Sequence, residues 1–110
     1  MCILIATAPL MYRQTLSRVL QRHRPHDEVL IAAPDALDHE ASLFHPHLIV
    51  CNDNASEVQV SVPSWVVIRF HDGMDASVSI NGQASKLVHD IGMEDLLGVI
   101  YETERLILRG

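Results

Sequence analysis

Three residues could do acid–base chemistry together: Asp53, His71 and Asp72. Each follows an apolar, strand-like run, so a sheet aligning those runs would bring a carboxylate–histidine pair to one edge, where it could move a proton. Polar residues also end strands simply because loops are wet, and both readings stay open. Seven histidines in 110 residues raise metal binding as a second chemistry. His23 and His26 are separated by a proline, His45 and His47 flank Pro46, and His39 lies about one and a half helical turns before His45. Zinc sites ordinarily show tighter, repeated spacing with cysteines among the ligands, and neither cysteine here neighbours a histidine. The histidines therefore read as solvated loop residues, with no metal. Nucleophilic catalysis lacks its strand-turn-helix G-x-S-x-G elbow. Cys2 and Cys51 sit inside apolar runs, as inert buried thiols of a reducing compartment do. No glycine-rich loop follows a strand to cradle a phosphate, so no nucleotide or other cofactor is expected. Asn54-Ala55-Ser56 matches a glycosylation acceptor, which has no bearing on a cytoplasmic chain.

The elements that must position these residues alternate in type. Cys2 to Ala6 is a continuous apolar run, as in a strand buried on both faces. Pro9 suits the first turn of a helix, and Leu10, Leu16, Val19 and Leu20 then recur at helical spacing until Pro25. Val29 to Ala33 is a second strand. Asp35 is the expected N-cap of a second helix, with Leu37, Ala41 and Phe44 inward and Pro46 as its stop. Leu48 to Cys51 is a third strand, closing at Asn52-Asp53-Asn54. This β-α-β-α-β order with short connections predicts a parallel sheet covered by helices. The second half is less regular. Val58, Val60 and Val62 alternate with polar residues, as an extended edge segment does. Trp65 to Ile68 is a fourth strand. Ala76, Val78 and Ile80 then alternate with serines up to Asn81-Gly82, a hairpin signal whose return arm is Gln83 to His89. From Met93 the period is helical again, with Leu96, Leu97, Ile100 and Ile107 inward and Glu94, Asp95, Glu102 and Glu104 outward. The early acids and Arg109 suit the helix dipole.

Size and charge bound what this arrangement can be. A chain of 110 residues with 48% hydrophobic and 20% charged residues makes one domain, residues 1–110, with a real core. Its apolar runs are far below the roughly 20 residues that span a bilayer, and no secretory leader opens it, so a cytoplasmic protein without a membrane partner is expected. The formal charge of −6 is unevenly spread. Leu10 to His26 carries Arg13, Arg18, Arg22 and Arg24 and no acid, whereas Asp72 to Glu104 carries seven acids against Lys86. A basic helix could touch nucleic acid, but an acidic whole argues against it and favours a solvated face.

Three stretches resemble the receiver domain of bacterial response regulators, and together they cover about half of the chain. ILIATAPLMYRQTLSRVLQRH is similar to the family's first strand, acidic loop and first helix; PHLIVCND to its third strand with the phosphoaccepting aspartate; HDIGMEDLLGVI to the loop and last helix. The resemblance implies a flavodoxin-like α/β fold. This would be a doubly wound, mostly parallel five-stranded sheet with its working residues at the carboxyl ends of the strands. The third and fourth helices would be reduced or replaced by the β-hairpin.

At the positions that match the family's phosphorylation site, this chain departs from the pattern. Thr7 and Ala8 stand where a carboxylate pair would hold Mg²⁺, which needs hard oxygen ligands. Asn52 stands at the phosphoacceptor position, with Asp53 one residue later. The switch hydroxyl falls near Arg69 or Phe70, and His89 takes the place of the lysine. The resemblance thus implies a degenerate receiver that works without phosphorylation, without catalysis and without a cofactor. Its partners would be another protein or a second copy in a homodimer. The expected contact surface comprises Arg13, Val78, Ile80, Asn81, Gly82, Ile100 and Ile107, because the altered hairpin offers an edge and the last helix has apolar residues to spare. Two alternatives remain: an atypical phosphoacceptor or ligand-sensing receiver using Asp53, and a small enzyme using Asp53, His71 and Asp72.

Overall fold

A computed structural model describes residues 1–52, 62–70, 74–80 and 86–108. The first of the buried runs forms β1 (Cys2–Ala6), with every residue buried. The helix opened by Pro9 is α1 (Leu10–His23). β2 (Glu28–Ile31) is followed by a 3-10 turn (Pro34–Ala36) and then by α2 (Leu37–Phe44). The third run is β3 (Leu48–Asn52), again buried throughout. β4 (Ser64–Phe70), β5 (Met74–Ile80), β6 (Lys86–Val88) and α3 (Met93–Leu108) complete the described elements.

The fold is α/β as expected, but its sheet is six-stranded and mixed where a mostly parallel five-stranded one was expected. The strands lie in the order β2-β1-β3-β4-β5-β6. The first four run parallel, while β5 is antiparallel to both β4 and β6. The period-two run of Ala76, Val78 and Ile80 with serines is thus a full strand inserted beside β4. Its alternation matches its surroundings, because Ala76 and Val78 enter the core while Ser77 and Ser79 lie half-buried on the opposite face. Ser77 accepts a hydrogen bond from the Nη1 of Arg69 at 3.0 Å. A hairpin between β5 and β6 does form, but its register differs by one from the expected turn. Val78 faces Lys86 and Ala76 faces Val88, whereas a two-residue Asn81-Gly82 turn would set Ser85 opposite Val78. The observed register turns Val88 toward the core and leaves Leu87 exposed. Asn81 and Gly82 lie outside the described residues.

Helices cover both faces. On one, Leu16 and Leu20 of α1 and Leu96, Val99 and Ile100 of α3 close over Ile3, Ile5, Leu48, Val50, Val66 and Ile68. On the other, Leu37 and Ala41 of α2 pack on Leu4, Ala6, Ile49 and Cys51, with Trp65 and Val67 partly buried beside them. Two details of α2 differ from expectation. Asp35 sits inside the 3-10 turn, and Ala36 occupies the N-cap with no side-chain cap bond. Phe44, expected inward, is 46% exposed on the last turn, and His45 ends the helix after it in the left-handed conformation. Of the edge segment expected at Val58 to Val62, only Val62 is described; it packs against the α2-side core.

One polar contact crosses from α3 to the sheet within the core. Thr103 donates its hydroxyl hydrogen to the Val99 carbonyl at 2.8 Å, so the 2.6 Å contact between Thr103 and Ser64 is donated by Ser64. Both residues are fully buried. The pair therefore predicts an asymmetry. Thr103→Val strands the Ser64 hydroxyl without an acceptor and is expected to cost about 1–3 kcal/mol. Ser64→Ala leaves only a spare lone pair on Thr103 and is expected to cost less. Urea unfolding of the two variants measures the difference.

Candidate functional site

The carboxyl ends of β1 and β3 meet where the chain's successive crossovers diverge, β2 to one side of β1 and β3 to the other. Open α/β sheets place ligands in this crevice. Here it holds Thr7, Ala8 and Asn52. The Asn52 side chain, 6% exposed, spans the crevice. Its Oδ1 accepts the backbone N–H of Ala8 at 2.5 Å and its Nδ2 donates to the Ile68 carbonyl at 3.4 Å. One amide thereby ties the loop after β1 to the ends of β3 and β4, using an acceptor and a donor that a carboxylate could not both supply. Thr7 is fully buried, and its Oγ1 has no hydrogen-bond partner among the described residues. Ala8 is exposed and supplies only its backbone. Among the described residues, the methyl, hydroxyl and amide of Ala8, Thr7 and Asn52 supply this crevice with no ionised oxygen and no activated nucleophile.

The structure places one other residue assigned to this site, His89, away from the crevice. His89 directly follows β6, but the inserted β5 moves it three strands from β3, roughly 14 Å at about 4.8 Å per strand. There its side chain is 74% exposed and its Nδ1 lies 3.4 Å from Asp75. Asp53, His71 and Asp72 lie outside the described residues, so the acid–base reading has no described geometry.

The expected contact surface is also redistributed. Val78 and Ile100 are core residues, 6% and 0% exposed, because α3 packs across β5 and closes over them. Ile80 packs against the same core and Ile107 is half-buried. Arg13 is a brace: its Nη1 donates to the Ala32 carbonyl at 2.8 Å and fixes the first turn of α1 to the end of β2.

Both thiols are buried and free. Burial pushes the Cys51 thiol up to about 11, and burial followed by the charge of Glu28 raises that of Cys2. Neither is a thiolate nucleophile at neutral pH. Among the described residues no three His, Cys, Asp or Glu side chains come together as metal ligands. His47 instead accepts the Cys2 backbone N–H on its Nδ1 at 3.0 Å and so joins β1 to the start of β3.

Among the described residues a charged cluster lies at the opposite, amino edge of the sheet, where no site was expected. Arg24 pairs through Nε with Asp27 at 2.6 Å and through Nη2 with Glu104, and its guanidinium stands 5.3 Å from the Tyr101 ring centre. The N-terminal ammonium reaches Asp27 at 3.4 Å. Helical period alone places Glu104 outward, and the pairing with Arg24 is what holds it. The signal available in the sequence is the three-residue spacing of Arg24 and Asp27 across Pro25, which lets the two side chains fold toward each other.

Compared with family models, curated proteins and solved structures, the chain matches none. Among the described residues no helix is long and apolar enough to cross a membrane.

Proposed function

We propose that the chain is a cytoplasmic, receiver-like regulatory module that works without phosphorylation and without catalysis, by binding a protein partner or a second copy. The parallel β2-β1-β3-β4 order supports this reading, as does the placing of α1 and α3 on one face and α2 on the other. The two buried thiols suit a reducing compartment. The observation that carries it is Asn52. The residue at the phosphoacceptor position is a neutral amide already committed on both sides, to Ala8 and to Ile68. A neutral amide is not the carboxylate nucleophile that phosphoryl acceptance needs, and Thr7 and Ala8, at the positions that would hold Mg²⁺, carry no carboxylate.

The test is incubation with acetyl phosphate, and separately with beryllofluoride, in the presence of Mg²⁺. Mass spectrometry is expected to find no phosphoryl adduct, and sedimentation velocity no change in assembly. An adduct that disappears in Asp53→Asn would overturn the reading in favour of Asp53 as acceptor.

A further inference from the structure

Between α1 and α3, over the carboxyl half of β4, lies an apolar cleft of about 240 Å³ that is partly open to solvent. Leu16 and Val19 of α1 form one wall, Leu96 and Met93 of α3 the other, and Ile68 lies at its base. Tyr12 of α1 also lines the cleft. An apolar hollow of about 150 Å³ stays dry and holds benzene, so this one has room for a single ring carrying a short substituent. Two wall groups distinguish an aromatic guest from an aliphatic one of equal size. The Tyr12 ring can meet another ring edge-to-face or offset-stacked. The Met93 thioether makes favourable sulfur–ring contacts. Among the described residues nothing charged lines the cleft, which suits a guest with no ionised group buried within it.

We propose that this cleft is a binding site for a small, uncharged, single-ring aromatic compound. The inference extends the regulatory reading above, since a guest wedged between α1 and α3 would supply the signal that phosphorylation does not. Binding itself is a property of the cleft.

Toluene, with methylcyclohexane as its aliphatic counterpart, is titrated into the isotopically labelled protein and followed by NMR. Toluene is expected to give saturable shifts centred on the methyl groups of Leu16, Val19, Ile68 and Leu96, and to bind about fivefold more tightly than methylcyclohexane. Val19→Phe, which fills the cleft, is expected to weaken toluene binding by about tenfold or more while the far-ultraviolet dichroism and melting cooperativity stay as in the parent. Should that variant misfold, Val19→Ala enlarges the cleft and is expected to shift the preference from toluene toward indole. Absence of saturable shifts, or equal binding of toluene and methylcyclohexane, overturns the aromatic site. Either result leaves the regulatory reading to the phosphodonor experiment, which does not involve the cleft.

Discussion

Arg24→Ala is expected to lower the unfolding free energy by about 3 kcal/mol, because it removes one partner of a buried pair and leaves the other. Asp27 is 8% exposed and takes the Arg24 Nε on Oδ2 and the N-terminal ammonium on Oδ1. Without the guanidinium it keeps one longer contact in a site that water scarcely reaches. The same truncation frees Glu104 and uncovers the Tyr101 ring. The Glu104 arm is the weaker one, since its side chain is 35% exposed, and Glu104→Gln is expected to cost less than about 1 kcal/mol.

The pH dependence gives an independent check. Burial alone would push the Asp27 carboxyl up. The hydrogen bond and charge of Arg24, with the ammonium, outweigh burial and hold the carboxyl below its ordinary value. A carboxyl lowered by folding contributes stability that is complete above the unfolded value of about 4, and loses it as the pH falls through the folded value. Parental stability should therefore decline on acidification through that window. Asp27→Asn should be less stable at neutral pH and lack that part of the decline. Urea unfolding at neutral and acid pH measures both, and a parent and variant with parallel pH profiles would show that the pair carries none of it.

How much of this was legible differs by element. β1, β3, α1 and α3 follow from continuous apolar runs and from helical spacing, because their burial is set by residues close in sequence. The alternation in β5 declared a strand, yet its place in the sheet depended on β4. Strand pairing is a long-range choice that an alternating pattern does not encode. That choice in turn displaced His89 from the crevice. Thr103 and Glu104 show the same limit in a helix. Neither belongs to the apolar stripe of α3, but partners 39 and 80 residues away along the chain hold them. A local pattern tells which face of an element is apolar. It does not tell which polar side chain will find a distant partner and be buried with it.

Asn52 was legible as a position but not as a role, and the second prediction follows from the difference. Asn52→Asp would put a carboxylate where a phosphoacceptor is expected by resemblance, and it is nonetheless expected to destabilise the protein by about 2 kcal/mol at neutral pH. One carboxylate oxygen can keep the Ala8 N–H. The other meets the Ile68 carbonyl, to which it has no hydrogen to give, at a site only 6% exposed. Burial and the facing carbonyl both disfavour the ionised form, so folding raises this carboxyl above its ordinary value.

The sign is then opposite to that of Asp27. The destabilisation is complete above the raised folded value, shrinks as the pH falls through it, and is gone below the unfolded value, where the variant's protonated carboxyl could again donate to Ile68. Relative to the parent, Asn52→Asp should gain stability on acidification while Asp27→Asn also gains, the first by losing a repulsion and the second by escaping a loss. The double variant separates the two: the groups lie at opposite edges of the sheet and share no partner, so their effects should add within about 0.5 kcal/mol. Additivity would make Asn52 a local structural tie whose carboxylate replacement carries its own cost. Phosphate acceptance at that position would then require the flanking Thr7 and Ala8 to change as well, so that a cation could offset the charge that the crevice now excludes.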